Sequence, residues 1–447
     1  MSASFEQAQA ALKLTSLYEL RGVVTDVTGL VVEGSGPFVP MGSHVTIHSG
    51  LQKIPAQVVG FRRDKILLMP FLELQGISPG AIITAHDTDS DVLVSDDLLG
   101  RVIDGLGNPI DDKPLSKKGE LVPLYRQPPN PISRTRITEC FDLGVRSMNS
   151  LLTVGSGQRV GIMAGSGVGK STLLGMIARN STSDINVIGL VGERGREVRE
   201  FIERDLGEEG LKRSIVVVAT GNESSLLRIR AAFLATAIAE YFRDQGKKVV
   251  LMLDSVTRLA MAQREIGLAV GEPPSTRGYT PSVFAMLPRL LERAGTSSGT
   301  GSITGLYTVL VEGDDMNEPI ADATRGILDG HVVLSRRLAG KGHFPAIEML
   351  ESTSRVMTDI VPPELVNLAS QARDVLATYR EAEDLITIGA YKPGQNPRVD
   401  KAVALIEPLT AFLKQRSVEK VSLEQSWKEL ARIFAPQPAA ATNVKSK

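Results

Sequence analysis

The stretch AGSGVGKST, residues 164–172, lies where an apolar run gives way to a helical pattern. It matches the phosphate-binding P-loop with one departure. Ala164 takes the first place, usually glycine, while Gly169, Lys170 and Ser171 fill the other defining positions. Gly165, Gly167 and Gly169 are expected to let the backbone turn tightly, so that its N–H groups face a phosphate. The predicted nucleotide-binding run is therefore Gly165, Ser166, Gly167, Val168, Gly169, Lys170, Ser171 and Thr172. The positive end of the following helix adds to the binding. Lys170 would reach the β- and γ-phosphates, and the Ser171 hydroxyl would bind Mg²⁺. Asp254, closing KKVVLMLD, suits the water shell of that metal. Hydrolysis also needs a group that orients or deprotonates water. Glu193 in VGERGRE, at the end of INVIGLVG, is the candidate, because strand C-termini border the ligand crevice of an open α/β sheet. The bland readings are an ordinary strand-terminal acid at Asp254 and a solvated acid at Glu193.

Such a site needs a scaffold, and the chain carries one. QRVGIMA, INVIGLVG, RSIVVVAT, KKVVLMLD and GLYTVLVEG are apolar, β-branched runs of the kind buried on both faces. Helical patterns such as STLLGMIARN and LLRIRAAFLATAIAEYFRDQG separate them. Alternation of this kind implies a parallel sheet with helices on both faces. Over 21–88, short β-branched runs between Gly, Asp and Ser turns predict a small barrel. LGRVIDGLGNPIDDKPL and LYRQPPNPISRTRI, rich in proline and glycine, read as an extended connection. After Pro362-Pro363 the strands stop and three helical stretches follow; the last opens with Ser422 and Gln425 at capping-box spacing. The fold class is thus α/β: a P-loop NTPase domain on a parallel sheet, an N-terminal β-barrel and a C-terminal helical domain. The predicted boundaries are a docking helix over 1–20, the barrel over 21–92, the ATPase domain over 93–362, the helical domain over 363–435 and a disordered tail over 436–447.

Bulk properties narrow the setting. The chain has 447 residues, 23% charged and 42% hydrophobic, with a formal net charge of -1. Charge alone favours neither a nucleic-acid nor a membrane surface. With Cys140 as the single cysteine, no intramolecular disulfide forms; a small buried apolar role is expected of it. MSASFEQAQAALKL lacks the basic flank and apolar core of a signal peptide, and no apolar run approaches a membrane span. A cytoplasmic chain is expected.

GERGRE, LMLDSVTR, GYTPSVFAMLPRLLERAG, TVLVEGDDMNEPIAD, ILDGHVVLSRRLA, HFPAIEMLESTSR and IGAY together resemble the export ATPase of flagellar and other type III secretion systems. That family is itself similar to the catalytic subunits of rotary F- and V-type ATPases. The resemblance covers 21–434 and is most specific over 278–355. It implies a homohexameric ring that hydrolyses ATP with Mg²⁺. It also implies that Glu193 is the catalytic carboxylate and Asp254 the second acid. Arg194 would lie near the γ-phosphate, and Arg258 would support the acid and phosphates. Phe344, before Pro345, would pack on adenine, and Arg355 in ESTSR would be an arginine finger reaching a neighbouring subunit. Implied partners are a regulator at the N-terminal helix, a stalk-like protein at the turn GAYKPGQNPR (389–398), export chaperones and substrates, and a membrane export gate. The implied location is cytoplasmic, peripheral to the inner-membrane export apparatus. Glu348 departs from the family pattern, which has Asp, Asn or His there; a local packing adjustment is expected.

Three alternatives compete, and Glu193 counts against one of them, a non-enzymatic nucleotide-gated scaffold. A rotary catalytic subunit would carry an acidic loop where this chain has GAYKPGQNPR. A ring-shaped RNA translocase would need stacking aromatics in its barrel, whereas Phe38, Phe61 and Phe71 include no closely spaced pair; no nucleic-acid partner is expected.

Overall fold

The computed structural model describes residues 19–72, 76–85, 91–115, 118–311, 313 and 315–435. The predicted docking helix, apart from Glu19 and Leu20, and the tail over 436–447 lie outside the described residues.

Six strands form the N-terminal unit: β1 (Arg21–Thr28), β2 (Val31–Ser35), β3 (His44–Ser49), β4 (Gln52–Arg62), β5 (Lys65–Pro70) and β6 (Ile82–Ala85). They close in the order β1-β2-β5-β4-β3-β6. Alternation drives the closure. In HVTIHS, Val45 and Ile47 point inward, and with Val24, Val32, Ile66 and Ile83 they fill the barrel. Closure leaves no unpaired edge.

The central sheet contains seven parallel strands: β7 (Val102–Asp104), β8 (Arg159–Ala164), β9 (Ile185–Val191), β10 (Ser214–Ala219), β11 (Lys248–Asp254), β12 (Ser302–Leu310) and β13 (Gly330–Leu334). Their order is β13-β8-β12-β11-β9-β10-β7, with Thr353–Ser354 antiparallel on the β13 edge. Every residue of β9 and β10 is buried, as runs covered on both faces must be. β7 falls inside the segment expected to be an extended connection. Three residues leave too little pattern to read, and the pairing with β10 joins positions more than a hundred residues apart. β13 was likewise not among the five expected strands.

Register sets the site. Ala164 pairs with Leu310 and Leu334, and Asp254 pairs with Leu190. The C-terminal ends of five strands therefore meet along one line.

The C-terminal unit has helices Pro363–Thr387, Pro397–Leu413 and Leu423–Phe434. Their Phe412, Leu413, Trp427 and Leu430 share one core with Leu173, Leu174 and Ile177 of the helix Lys170–Asn180. Burying that joint apolar surface holds the C-terminal unit beside the P-loop. The last helix is capped by the Ser422 hydroxyl, which accepts the Gln425 N–H at 3.2 Å. Among the described residues the Gln425 side chain makes no return bond to the Ser422 N–H; its Nε2 donates to Glu429, one turn on, at 2.9 Å. Cys140 is half buried and packs against the apolar core from its edge. Its Sγ donates to the Ile360 carbonyl at 3.3 Å, across the entry to the C-terminal helices.

Candidate active site

β8 ends at Ala164, and the chain turns through the P-loop into the helix Lys170–Asn180. Gly167 and Gly169 adopt φ of 77° and 90°, left-handed positions that glycine takes without strain. Gly165 does not: its φ is outside that region. The expected turn chemistry therefore fails to explain this glycine. Space does. A Cβ at Gly165 would stand 2.7 Å from Nε of Arg336. Val168 is buried, Ser166 is exposed, and Ser171 and Thr172 face a cleft at the helix N-terminus.

The two candidate acids arrive from neighbouring strands, as the register requires. The Lys170 ammonium is ion-paired with Asp254 Oδ1 and lies 3.3 Å from Glu193 Oε1. Asp254 also accepts the Thr308 hydroxyl at 2.7 Å, a β12 contribution with no local signal in the sequence. Burial, then the charge of Asp254, push the Glu193 carboxyl up to about 7, against the pull of Lys170. Burial works against the Lys170 charge, yet the two carboxylates hold its pKa above the ordinary value. A carboxyl titrating near neutrality at strand ends can hold or accept a proton at working pH.

Arg258 sits in the first turn of the helix Val256–Val270, where its N–H is capped by the Ser255 hydroxyl at 3.3 Å. Its stem crosses Gly192, where a Cβ would stand 2.6 Å from the Arg258 Cβ. Its buried Nε has no hydrogen-bond partner among the described residues. An unpaired buried donor at a cleft wall favours an acceptor from outside the chain. Arg194 lines the same cleft with its side chain 80% exposed, 3.7 Å from Glu197. The cleft holds about 490 Å³, and Arg204, Asp205 and Arg336, none singled out from the sequence, also line it.

A second cleft of about 770 Å³ opens from the first, sharing Gly169 and Thr172. Leu173, Met176, Phe344 and Pro345 supply its apolar wall, and Gln415 and Arg416 close it from the C-terminal unit. Phe344 keeps 46% of its surface exposed, an open aromatic face. Its carbonyl accepts the Gln415 N–H at 2.9 Å. Nothing periodic in the sequence pairs these two residues.

Arg355, the turn over 389–398 and Glu348 stand apart from this constellation. Arg355 lies outside the phosphate cleft, exposed just past the edge strand Thr353–Ser354. Its Nη2 donates to the Arg325 carbonyl at 3.3 Å, and it makes no ion pair among the described residues. In the turn over 389–398, Asp400 accepts from Tyr391 Oη at 2.8 Å and from the Gly394 N–H at 2.9 Å. Arg398 is committed to Asp374, whereas Lys392 is exposed. Glu348 makes more than a packing adjustment. Buried, it pairs with Arg380 at 2.5 Å and Arg337 at 3.3 Å, which ties the helix Arg336–Gly340 to the helix Pro363–Thr387.

Residues 144–354 match the model of the ATP synthase alpha/beta family, nucleotide-binding domain, and residues 361–432 match the T3SS EscN ATPase C-terminal domain. The flagellum-specific ATP synthase of Bacillus subtilis (strain 168) is 56% identical over 418 residues, 93% of this chain and 95% of that protein. The chain belongs to the flagellar and type III secretion ATPase family. The type 3 secretion system ATPase of Xanthomonas euvesicatoria is 47% identical, over 97% of this chain and 98% of that protein. The assembled ATPase EscN of enteropathogenic E. coli superposes with a TM-score of 0.87 at 43% identity, covering 93% of this chain and 100% of that one. EscN in complex with its central stalk EscO gives 0.86 at the same identity and coverage. Like its relatives, this family member is an ATP-hydrolysing enzyme, and its six-stranded barrel, parallel sheet and C-terminal helices are those expected of the resemblance.

Proposed function

We propose that this chain hydrolyses Mg-ATP as one subunit of a homohexameric ring, and that hydrolysis drives delivery and unfolding of export substrates and their chaperones at a membrane export gate. The convergence of Lys170, Glu193 and Asp254 at the ends of β8, β9 and β11 carries the enzymatic part of this reading. The C-terminal match over 361–432 favours protein export over a rotary role.

The P-loop N–H groups from Gly165 to Thr172 and the Lys170 ammonium bind the phosphates, with Arg194 and Arg258 adding positive charge at the cleft wall. The Ser171 hydroxyl and Asp254 fit a magnesium ion, directly or through its waters, because both are hard oxygen donors beside the phosphate cleft. When bound, the metal offsets charge on the phosphate oxygens. A triphosphate gives Lys170 a new anionic partner and relieves its claim on the two acids. Glu193 in its ionised form then orients a water and accepts its proton at a carboxylate oxygen. Phe344 stacks on the base at the apolar cleft.

Arg355 explains why a ring is needed. It is exposed and remote from the cleft of its own subunit, which suits a guanidinium offered to the neighbour's γ-phosphate. The exposed turn over 389–398 faces a stalk-like protein, and residues 1–20 dock a regulator. The domain boundaries are those read from the sequence, no nucleic acid takes part, and the ring works in the cytoplasm against the inner-membrane apparatus. Among the described residues no helix is long and apolar enough to cross a membrane.

The test is a mixing experiment. Arg355→Ala and Lys170→Ala are each expected to be inactive, and their mixture to recover ATPase activity, since a mixed ring sets an intact finger beside an intact P-loop. Mixed rings that form and remain inactive would refute the shared site.

A further inference from the structure

The structure assigns Arg336 as a positioning residue of the nucleotide site: its guanidinium braces the P-loop at Gly165. This inference rests on the nucleotide reading of the cleft. A Cβ at position 165 would meet Nε of Arg336 at 2.7 Å, Nη2 at 2.8 Å and Cζ at 3.1 Å. Three atoms of one planar group thus lie over a single Cα. The backbone of Gly165 would accept an L-residue, since its φ is not left-handed. A side chain at position 165 would therefore have to push the Arg336 guanidinium off the loop.

The brace is itself held. Arg336 opens the helix Arg336–Gly340, whose cap Ser335 accepts the Leu338 N–H at 3.4 Å. The Ser335 N–H donates to the Ala346 carbonyl at 2.8 Å. Arg337 points away, into the ion pair with buried Glu348, which anchors the helix from behind. At the far end of the same segment, Phe344 Cδ1 lies 3.4 Å from where a Cβ on Gly169 would stand. One stretch over 335–345 thereby lies along the P-loop, with Arg336 over residue 165 and Phe344 beside residue 169. Arg336 also lines the phosphate cleft with Lys170, Glu193 and Arg258. Held this way, the loop keeps its N–H groups aimed at the phosphates before any ligand arrives, which lowers the ordering cost of binding.

A double-mutant cycle tests the contact. Mg-ATP affinity and steady-state constants are measured for wild type, Gly165→Ala, Arg336→Ala and the double variant. In the wild-type background Gly165→Ala should weaken Mg-ATP binding by about tenfold, the size of a modest overpacking penalty. In the Arg336→Ala background the same alanine should cost less than about twofold, because the obstructing group is gone. The loss should fall on KM more than on kcat, with the unfolding midpoint unchanged. If Gly165→Ala costs the same factor in both backgrounds, or if Arg336→Ala lowers the midpoint and leaves KM alone, Arg336 does not position the loop. If wild type itself fails to bind Mg-ATP, the nucleotide reading falls instead.

Discussion

Replacing Glu193 by glutamine has a consequence for stability that runs opposite to its consequence for activity. The Glu193 side chain is 14% exposed, beside Asp254, and its carboxyl is pushed from the ordinary 4.5 up to about 7. In the unfolded chain it titrates at its ordinary value. Between those two values the folded state holds a proton that the unfolded state releases, so stability falls as pH rises through that window. At about 1.4 kcal/mol per unit, the full cost is about 3 kcal/mol once Glu193 is ionised in both states. Glutamine keeps the shape and removes the titration. Urea unfolding of wild type and Glu193→Gln, without nucleotide, should show a small difference at pH 5. At pH 8.5 the gap should have opened by about 2–3 kcal/mol in favour of the glutamine variant. ATP turnover should move the other way, falling by about 10²–10⁴-fold because an amide cannot accept the proton. A stability gap independent of pH would show that Glu193 is ionised well below neutrality in the folded protein. The account of the buried acid cluster would then be wrong.

Phe344→Ala should raise KM for ATP on the order of tenfold while lowering kcat less, since base stacking worth about 1–3 kcal/mol is already present in the ground state. Steady-state kinetics check this, and an unchanged KM would return Phe344 to ordinary packing. Arg293→Met should cost about 3–5 kcal/mol in urea unfolding, because it strands a buried carboxylate. Arg293 holds Glu240 at 2.6 Å with both side chains almost fully buried, and Arg126 is a poor substitute at 4.0 Å. Arg293→Met with Glu240→Leu should recover most of the loss; a double variant no better than the single one would locate the defect in packing instead.

Features governed by a few consecutive residues were legible without coordinates. The left-handed glycines at 167 and 169, the helix opening at Lys170 and the acids closing β9 and β11 each follow from local backbone chemistry and apolar runs. So do the alternating strands of the barrel and the C-terminal helices with Trp427 in their core. A parallel strand buried on both faces announces itself, and its C-terminal end is where a ligand crevice must open. Contacts between distant segments carry no such periodic trace. Tertiary structure alone placed β7 on the sheet edge, Thr308 on Asp254, Gln415 against Phe344, and Arg336 over Gly165. It also set Arg355 outside the phosphate cleft of its own chain. Each of these outcomes depends on strand register and on helices that a shared apolar core holds beside the P-loop. Spacing along the chain specifies which groups exist, whereas the closing of that core decides which of them meet.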